Sequence, residues 1–193
     1  MKLTVYNFKG GVGKTTISLN LALTLDCAII SNDVYSPLGT VLDENNFIKL
    51  EPGQPLPELP DEYDIIFDLG GYIDARAISA MKQSKYVIVP TTPEFIDIQV
   101  TINSINELKQ YNKNVVIVGN RTIKGELTYI EQAIRKFFKY PIFEVKKSRA
   151  LPNLFSEKQS VRDMVNEGGL KKFHYKGLAD QFDQIVSHIK GID

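Results

Sequence analysis

The stretch Lys9-Gly10-Gly11-Val12-Gly13-Lys14-Thr15-Thr16 combines residue types and spacing that specify a chemistry. It lies between an apolar run, Leu3-Thr4-Val5-Tyr6, and a segment with apolar helical periodicity. A glycine-rich turn between strand and helix is a phosphate cradle: its amide N–H groups point inward and the helix N-terminus adds positive potential. Gly10, Gly11 and Gly13 leave no Cβ between backbone and phosphate. Lys14 is placed to reach the β- and γ-phosphates and the Thr15 hydroxyl to hold Mg²⁺. A glycine-rich turn with two chance lysines is the bland alternative, and the agreement of strand, turn, helix and the Gly-Lys-Thr order argues against it.

Three other strand ends carry polar groups. Tyr63-Asp64-Ile65-Ile66-Phe67-Asp68 ends in a carboxylate followed by Leu69-Gly70-Gly71. Such a carboxylate can hold a water on a metal beside the P-loop threonine, and the two glycines permit backbone movement; the alternative is an Asp-initiated turn. Ser31-Asn32-Asp33 closes a second apolar run. Val115-Val116-Ile117-Val118-Gly119 leads to Asn120 and Arg121, an amide and a guanidinium able to meet a base, or else plain loop residues.

The elements that must position these groups alternate along the chain. The pattern predicts strands over 2–7, 27–31, 64–69, 86–90, 115–119 and 141–145, mostly β-branched runs of the kind buried on both faces of a parallel sheet. Helices are predicted over 14–25, 73–83, 96–110, 125–139 and 176–189, with Pro93 starting the third of them. This alternation implies right-handed βαβ units and an α/β, doubly wound, mostly parallel sheet flanked by helices, as one domain spanning 1–193. Ligands of such sheets sit at the carboxyl ends of strands, which brings the glycine loop, Asp33, Asp68 and Asn120 together. Residues 51–62 carry Pro52, Pro55, Pro57 and Pro60 and read as a surface connection before the third strand.

The strict P-loop pattern asks for glycine at the position of Phe8; a second lysine, Lys9, stands beside it instead. The form K-G-G-x-G-K-[ST] resembles the ParA/MinD family of P-loop ATPases, closest to small ParA-type partition ATPases, and the likeness runs from Met1 to about Met164. The resemblance implies the P-loop NTPase fold, ATP and Mg²⁺ as cofactors, and slow, partner-stimulated hydrolysis. It implies catalytic roles for Lys9, Lys14 and Asp33, nucleotide contacts from 9–16, Asn120 and Arg121, and metal contacts from Thr15, Asp33 and Asp68. Lys9 would reach across a homodimer to the partner's nucleotide. The family usually reads D-x-D-P-Q where this chain has Ser31-Asn32-Asp33-Val34-Tyr35, so Asp33 alone is left to position the attacking water or a water on the metal. The implied function is DNA partition: an ATP-bound dimer on nonspecific DNA, released by a cargo-bound ParB-like activator. The alternatives are a MinD-like regulator or an ATPase positioning a protein cargo such as a microcompartment.

Composition agrees with a globular domain of substantial core, 43% apolar over 193 residues. Cys27, the only cysteine, sits in an apolar run and excludes a disulfide framework. His174 and His188 are both late and read as surface residues. The formal charge is zero, yet residues 121–176 carry an excess of positive charge, which suits either a polyanion-facing surface or a solvated basic face. The DNA-binding candidates implied by the resemblance are Lys146, Lys147, Arg149, Lys158, Arg162, Lys171 and Lys172. The last predicted helix has an apolar stripe of Leu178, Phe182, Ile185, Val186 and Ile189, and its polar face is acidic, which anionic lipid would repel. The expectation is therefore a core-docked helix, no membrane partner, and a cytoplasmic protein that associates with the nucleoid when ATP-bound.

Overall fold

A computed structural model of the chain describes residues 1–33, 35–71 and 73–192. Seven strands are present among them: β1 (Lys2–Tyr6), β2 (Ala28–Ser31), β3 (Phe47–Lys49), β4 (Ile65–Leu69), β5 (Tyr86–Thr91), β6 (Val115–Thr122) and β7 (Ile142–Lys146). They form one sheet in the order β3-β2-β4-β1-β5-β6-β7 with every pairing parallel. The helices are α1 (Lys14–Leu25), α2 (Ala75–Gln83), α3 (Phe95–Leu108), α4 (Glu126–Ile134), α5 (Ala150–Glu157), α6 (Val161–Asn166) and α7 (Gly169–Lys190). This is the doubly wound α/β fold read from the alternation.

Strand pleating divides the core. Leu3, Val5, Ile66, Ile88, Val116 and Val118 face one side and pack with α1, α5, α6 and α7. Tyr6, Ile65, Phe67, Leu69, Val87, Val89, Val115 and Ile117 face the other and pack with α2, α3 and α4. Successive side chains of one strand thus serve two cores, which is why these runs are apolar throughout.

The chain differs from the sequence expectation at its short elements. β3 is three residues long and puts the strand carrying Asp68 fourth in the chain instead of third. The proline-rich connection after it buries Leu56 in the second core. Pro93 precedes the Glu94 N-cap of α3 and does not start the helix itself. α5 and α6 occupy a region read without helices; α6 is fixed by a capping box in which the Ser160 and Asp163 side chains each accept the other's backbone N–H. α7 begins seven residues before its predicted start, in a turn opened by Gly168. Its stripe of Leu178, Phe182, Ile185 and Ile189 is buried. No helix among the described residues is long and apolar enough to cross a membrane. His188 is half-buried between the rings of Tyr86 and Phe143, at 5.6 and 5.3 Å, which corrects its reading as a surface residue.

Asp26 and Cys27 alone join α1 to β2. Asp26 takes a left-handed conformation (φ 55°) and its N–H closes on Ala22 O. Cys27 is buried, and burial pushes its thiol up to about 11.

Candidate functional site

β1 lies between β4 and β5, so the loop that follows it emerges where the strand order reverses, at the carboxyl edge of the sheet. Asn7 anchors that loop. Its side chain is fully buried and donates to Pro90 O and Thr101 Oγ1, both at 2.8 Å, while its Oδ1 accepts from Lys9 N (2.9 Å) and Ser104 Oγ (3.1 Å). Four hydrogen bonds use the whole capacity of the amide and tie the loop to β5 and α3. Gly13 caps α1 at φ 96°, and a Cβ there would fall 2.2 Å from Asn120 Nδ2. Only glycine fits that position.

Lys14 leads α1 and turns back along the loop, donating to Asn7 O at 3.1 Å and Lys9 O at 3.0 Å. Burial holds its ammonium below the usual lysine range against the opposing pull of Asp68 and Asp33. The register explains where Asp68 comes from: it pairs with Val5 on β1 and with Ser31 on β2, level with the start of the loop. Asp68 is 4% exposed; it accepts a hydrogen bond from Ser18 Oγ at 3.0 Å, and the neighbouring Thr15 hydroxyl also favours its charged form. Burial nevertheless raises its pKa, because those hydroxyls and Lys14 only partly offset desolvation of the charge.

Asp68 is therefore a carboxylate whose charge the fold holds at a cost. Asp68→Asn is expected to raise the melting temperature of the magnesium-free protein at neutral pH, by up to several degrees. The sign follows from the raised pKa: the ionised form is the costly one, so the advantage of the variant should shrink as pH falls below the raised pKa of folded Asp68 and vanish once the unfolded chain's carboxyl is protonated as well. Differential scanning fluorimetry across pH, with chelator, reads this; a variant no more stable than the parent at pH 8 would contradict it.

Asp33 is exposed. Its N–H is held by Ser31 Oγ at 3.2 Å, and its Oδ1 accepts from Tyr35 N at 3.0 Å. Val34, which with Tyr35 replaces the Pro-Gln pair, lies outside the described residues. Asn120 is 1% exposed, and its amide braces the loop: Nδ2 donates to Val12 O at 2.8 Å and Oδ1 accepts from Arg121 N at 3.0 Å. Asn120 thus braces the loop, and one N–H and one oxygen lone pair of its amide remain for the base contact expected of it. Arg121 sits at φ 58° in a bulge between β6 and β7 and donates from Nη1 to Gly11 O at 3.0 Å, over the loop. Lys9 is paired within its own chain, 3.5 Å from Asp97 Oδ1, and Asp97 in turn accepts from Thr92 Oγ1 at 2.7 Å.

A cleft of about 540 Å³ brings Gly10, Gly11, Gly13, Lys14, Thr15, Asp33, Asp68, Gly70, Gly71 and Arg121 together. A second hollow of about 400 Å³ adjoins it at Thr16 and Arg121 and is lined by Lys147, Ser148, Leu151 and Pro152. Together they give the room that a nucleoside triphosphate would need, with its phosphates at the glycine loop. Among the described residues no group of three or more His, Cys, Asp or Glu side chains is placed to hold a metal. The donor set of Thr15 and Asp68 suits Mg²⁺, which takes one or two protein oxygens and completes its shell from phosphate and water.

The seven basic candidates separate. Lys147 belongs to the cleft. Arg162 is paired with Asp180 (2.8 Å) and Asp183, Lys171 with Glu157 (2.9 Å) and Glu167 (2.8 Å), and Lys146 with Glu144 (3.6 Å). The charge of these three is compensated within the chain, by ion pairs that are partly open to solvent. Arg149, Lys158 and Lys172 are exposed. Lys176, not singled out from sequence, is exposed one turn beyond Lys172 on α7. Asn7, Ser18 and Asn32 were also missed. A polar residue ending an apolar strand is the one signal that marks Asn7.

The family profile of the CobQ/CobB/MinD/ParA nucleotide binding domain matches residues 3–161. Among curated proteins no sequence matches. Similar solved structures include McdA from Cyanothece in complex with ATP, at 14% identity and a TM-score of 0.66, over 100% of this chain and 97% of that one. A plasmid partition protein from Borrelia burgdorferi bound to AMPPNP is similar at 15% identity and TM-score 0.65, over 96% and 98%. The septum site-determining protein MinD of Pyrococcus horikoshii with Mg-ADP is similar at 19% identity and TM-score 0.65, over 97% of each chain. At these identities the likeness shows the fold.

Proposed function

Because the chain belongs to the CobQ/CobB/MinD/ParA nucleotide-binding family, we propose that it is a ParA-type ATPase whose ATP-bound dimer holds nonspecific DNA. The observation that carries the reading is the convergence of Lys14, Thr15, Asp68 and Asp33 on one cleft beside a second, signature lysine. The loop amides and Lys14 bind and orient the phosphates. Phosphoryl transfer needs positioning and charge stabilisation more than covalent help, so one placed carboxylate, Asp33, suffices to orient the attacking water. Bound Mg²⁺ would neutralise charge developing on the β- and γ-oxygens. Lys9 would complete the partner's site, and a protein on the cargo would stimulate turnover and release the dimer from its track.

DNA as that track is supported by exposed Arg149, Lys158, Lys172 and Lys176 within the basic stretch of the sequence. Binding of a random-sequence duplex, read by fluorescence anisotropy, is expected with ATP and not with ADP. With about four phosphates neutralised per dimer, affinity should fall about a hundredfold between 50 and 200 mM salt. Absence of binding in both nucleotide states removes DNA and leaves the same cycle on a protein cargo.

A further inference from the structure

We propose that Asn32 is a positioning residue that joins the loop after β4, which senses the terminal phosphate, to the loop after β2, which carries Asp33. The proposal rests on the ATPase reading of the cleft.

The two loops leave neighbouring strands. Backbone pairing of β2 with β4 ends at Ser31 opposite Asp68. Asn32 carries the connection further with its side chain: Oδ1 accepts the Gly70 N–H at 3.1 Å and Nδ2 donates to Gly70 O at 3.3 Å. A side-chain amide thus pairs with both backbone groups of Gly70, as a neighbouring strand would. An asparagine in an ordinary turn bonds its own backbone two residues on. Here Ser31 and Asp33 make those local bonds, to Asp33 N and Tyr35 N, and Asn32 reaches across instead.

Gly70 is well placed for such a link. A Cβ on it would lie 3.6 Å from Lys14 Cε, so its backbone runs along the lysine that reaches the phosphates. The next residue, Gly71, is at φ 87°, and its carbonyl accepts from Tyr6 Oη at 2.6 Å. Tyr6 is fully buried on central β1. The Gly70–Gly71 segment is therefore held on one side by the rigid sheet and on the other by the residue next to Asp33. A shift of this segment when the terminal phosphate departs is transmitted through Asn32 to the adjacent carboxylate. The same link favours the arrangement that meets a triphosphate over the one that meets a diphosphate.

The test compares Asn32→Ala and Asn32→Asp with the parent chain. Asn32→Asp retains the acceptor for Gly70 N–H and removes the donor. Hydrolysis of Mg²⁺-ATP and the affinities for a nonhydrolysable ATP analogue and for ADP are measured, with melting curves confirming that each variant is folded. For Asn32→Ala, kcat is expected to fall about tenfold and the preference for the ATP analogue over ADP to shrink by a similar factor at unchanged ADP affinity, the scale that two neutral hydrogen bonds support. Asn32→Asp is expected to fall between. A preference equal to the parent's overturns the proposal, whether both affinities stay the same or weaken in parallel, the latter being the sign of a merely structural role. If the parent binds nucleotide without hydrolysing it, the ATPase reading fails separately, and the affinity ratio still decides the role of Asn32.

Discussion

Lys14→Ala is expected to lower Mg²⁺-ATP hydrolysis by about two to three orders of magnitude, the scale on which removing a preorganised charge donor acts. The ammonium of Lys14 is held in the loop by the Asn7 and Lys9 carbonyls and faces the cleft that contains Asp68 and Asp33. No reorganisation is needed for it to meet phosphate oxygens, and burial strengthens its field there. The fold should survive. Lys14 is partly desolvated at a cost that its removal relieves, and the two carbonyls it leaves lie in a cleft open to water. Phosphate release and nucleotide titration, beside a melting curve, read the prediction. Hydrolysis within threefold of the parent would remove the P-loop assignment.

Lys9→Ala is expected to separate nucleotide binding from assembly. Lys9 contacts Asp97 and the Gly10 carbonyl of its own chain, at 3.5 and 3.2 Å, and its side chain is 38% exposed at the rim. An ion pair so open to solvent contributes under about 1 kcal/mol, so a phosphate group presented by a second copy can displace Asp97. Nucleotide affinity of the single chain should remain within about twofold. The dimer formed with a nonhydrolysable ATP analogue should be lost, and with it turnover by about a thousandfold, as for other cations supplied in trans to phosphoryl transfer. Light scattering coupled to size exclusion measures the assembly. Dimers that persist in this variant would refute the sandwich arrangement in which each Lys9 serves its partner.

Some elements were plain from local pattern. The strands now numbered β1, β4, β5 and β6 are long apolar runs, and α1 is bounded by the loop glycines and by the two-residue turn at Asp26 and Cys27. β3 escaped because three residues on a sheet edge, two of them exposed, carry no periodicity. α5 holds Pro152 in its first turn, where proline is tolerated, and the residue reads as a breaker until the position is known. The first turns of α7 are almost wholly exposed, so no apolar stripe announces them.

The contiguous groups of the site behave similarly. A phosphate cradle is a local device of one turn and one helix end, and eight adjacent residues are enough to specify it. The carboxylates at the ends of β2 and β4 follow from strand alternation and the rule that ligands sit at carboxyl ends. Local pattern therefore reaches a doubly wound sheet, a phosphate-binding loop, and Asp33 and Asp68 beside it. The tertiary structure alone decided which partners the polar groups meet. Asn120 is bonded to Val12, 108 residues away, and Asn32 to Gly70, 38 residues away. Arg162 is neutralised by Asp180 and Asp183, and Lys171 by Glu157 and Glu167. The physical reason is reach. A hydrogen bond or ion pair acts over about 3 to 4 Å, and strand register and helix docking determine which distant side chains come within that distance.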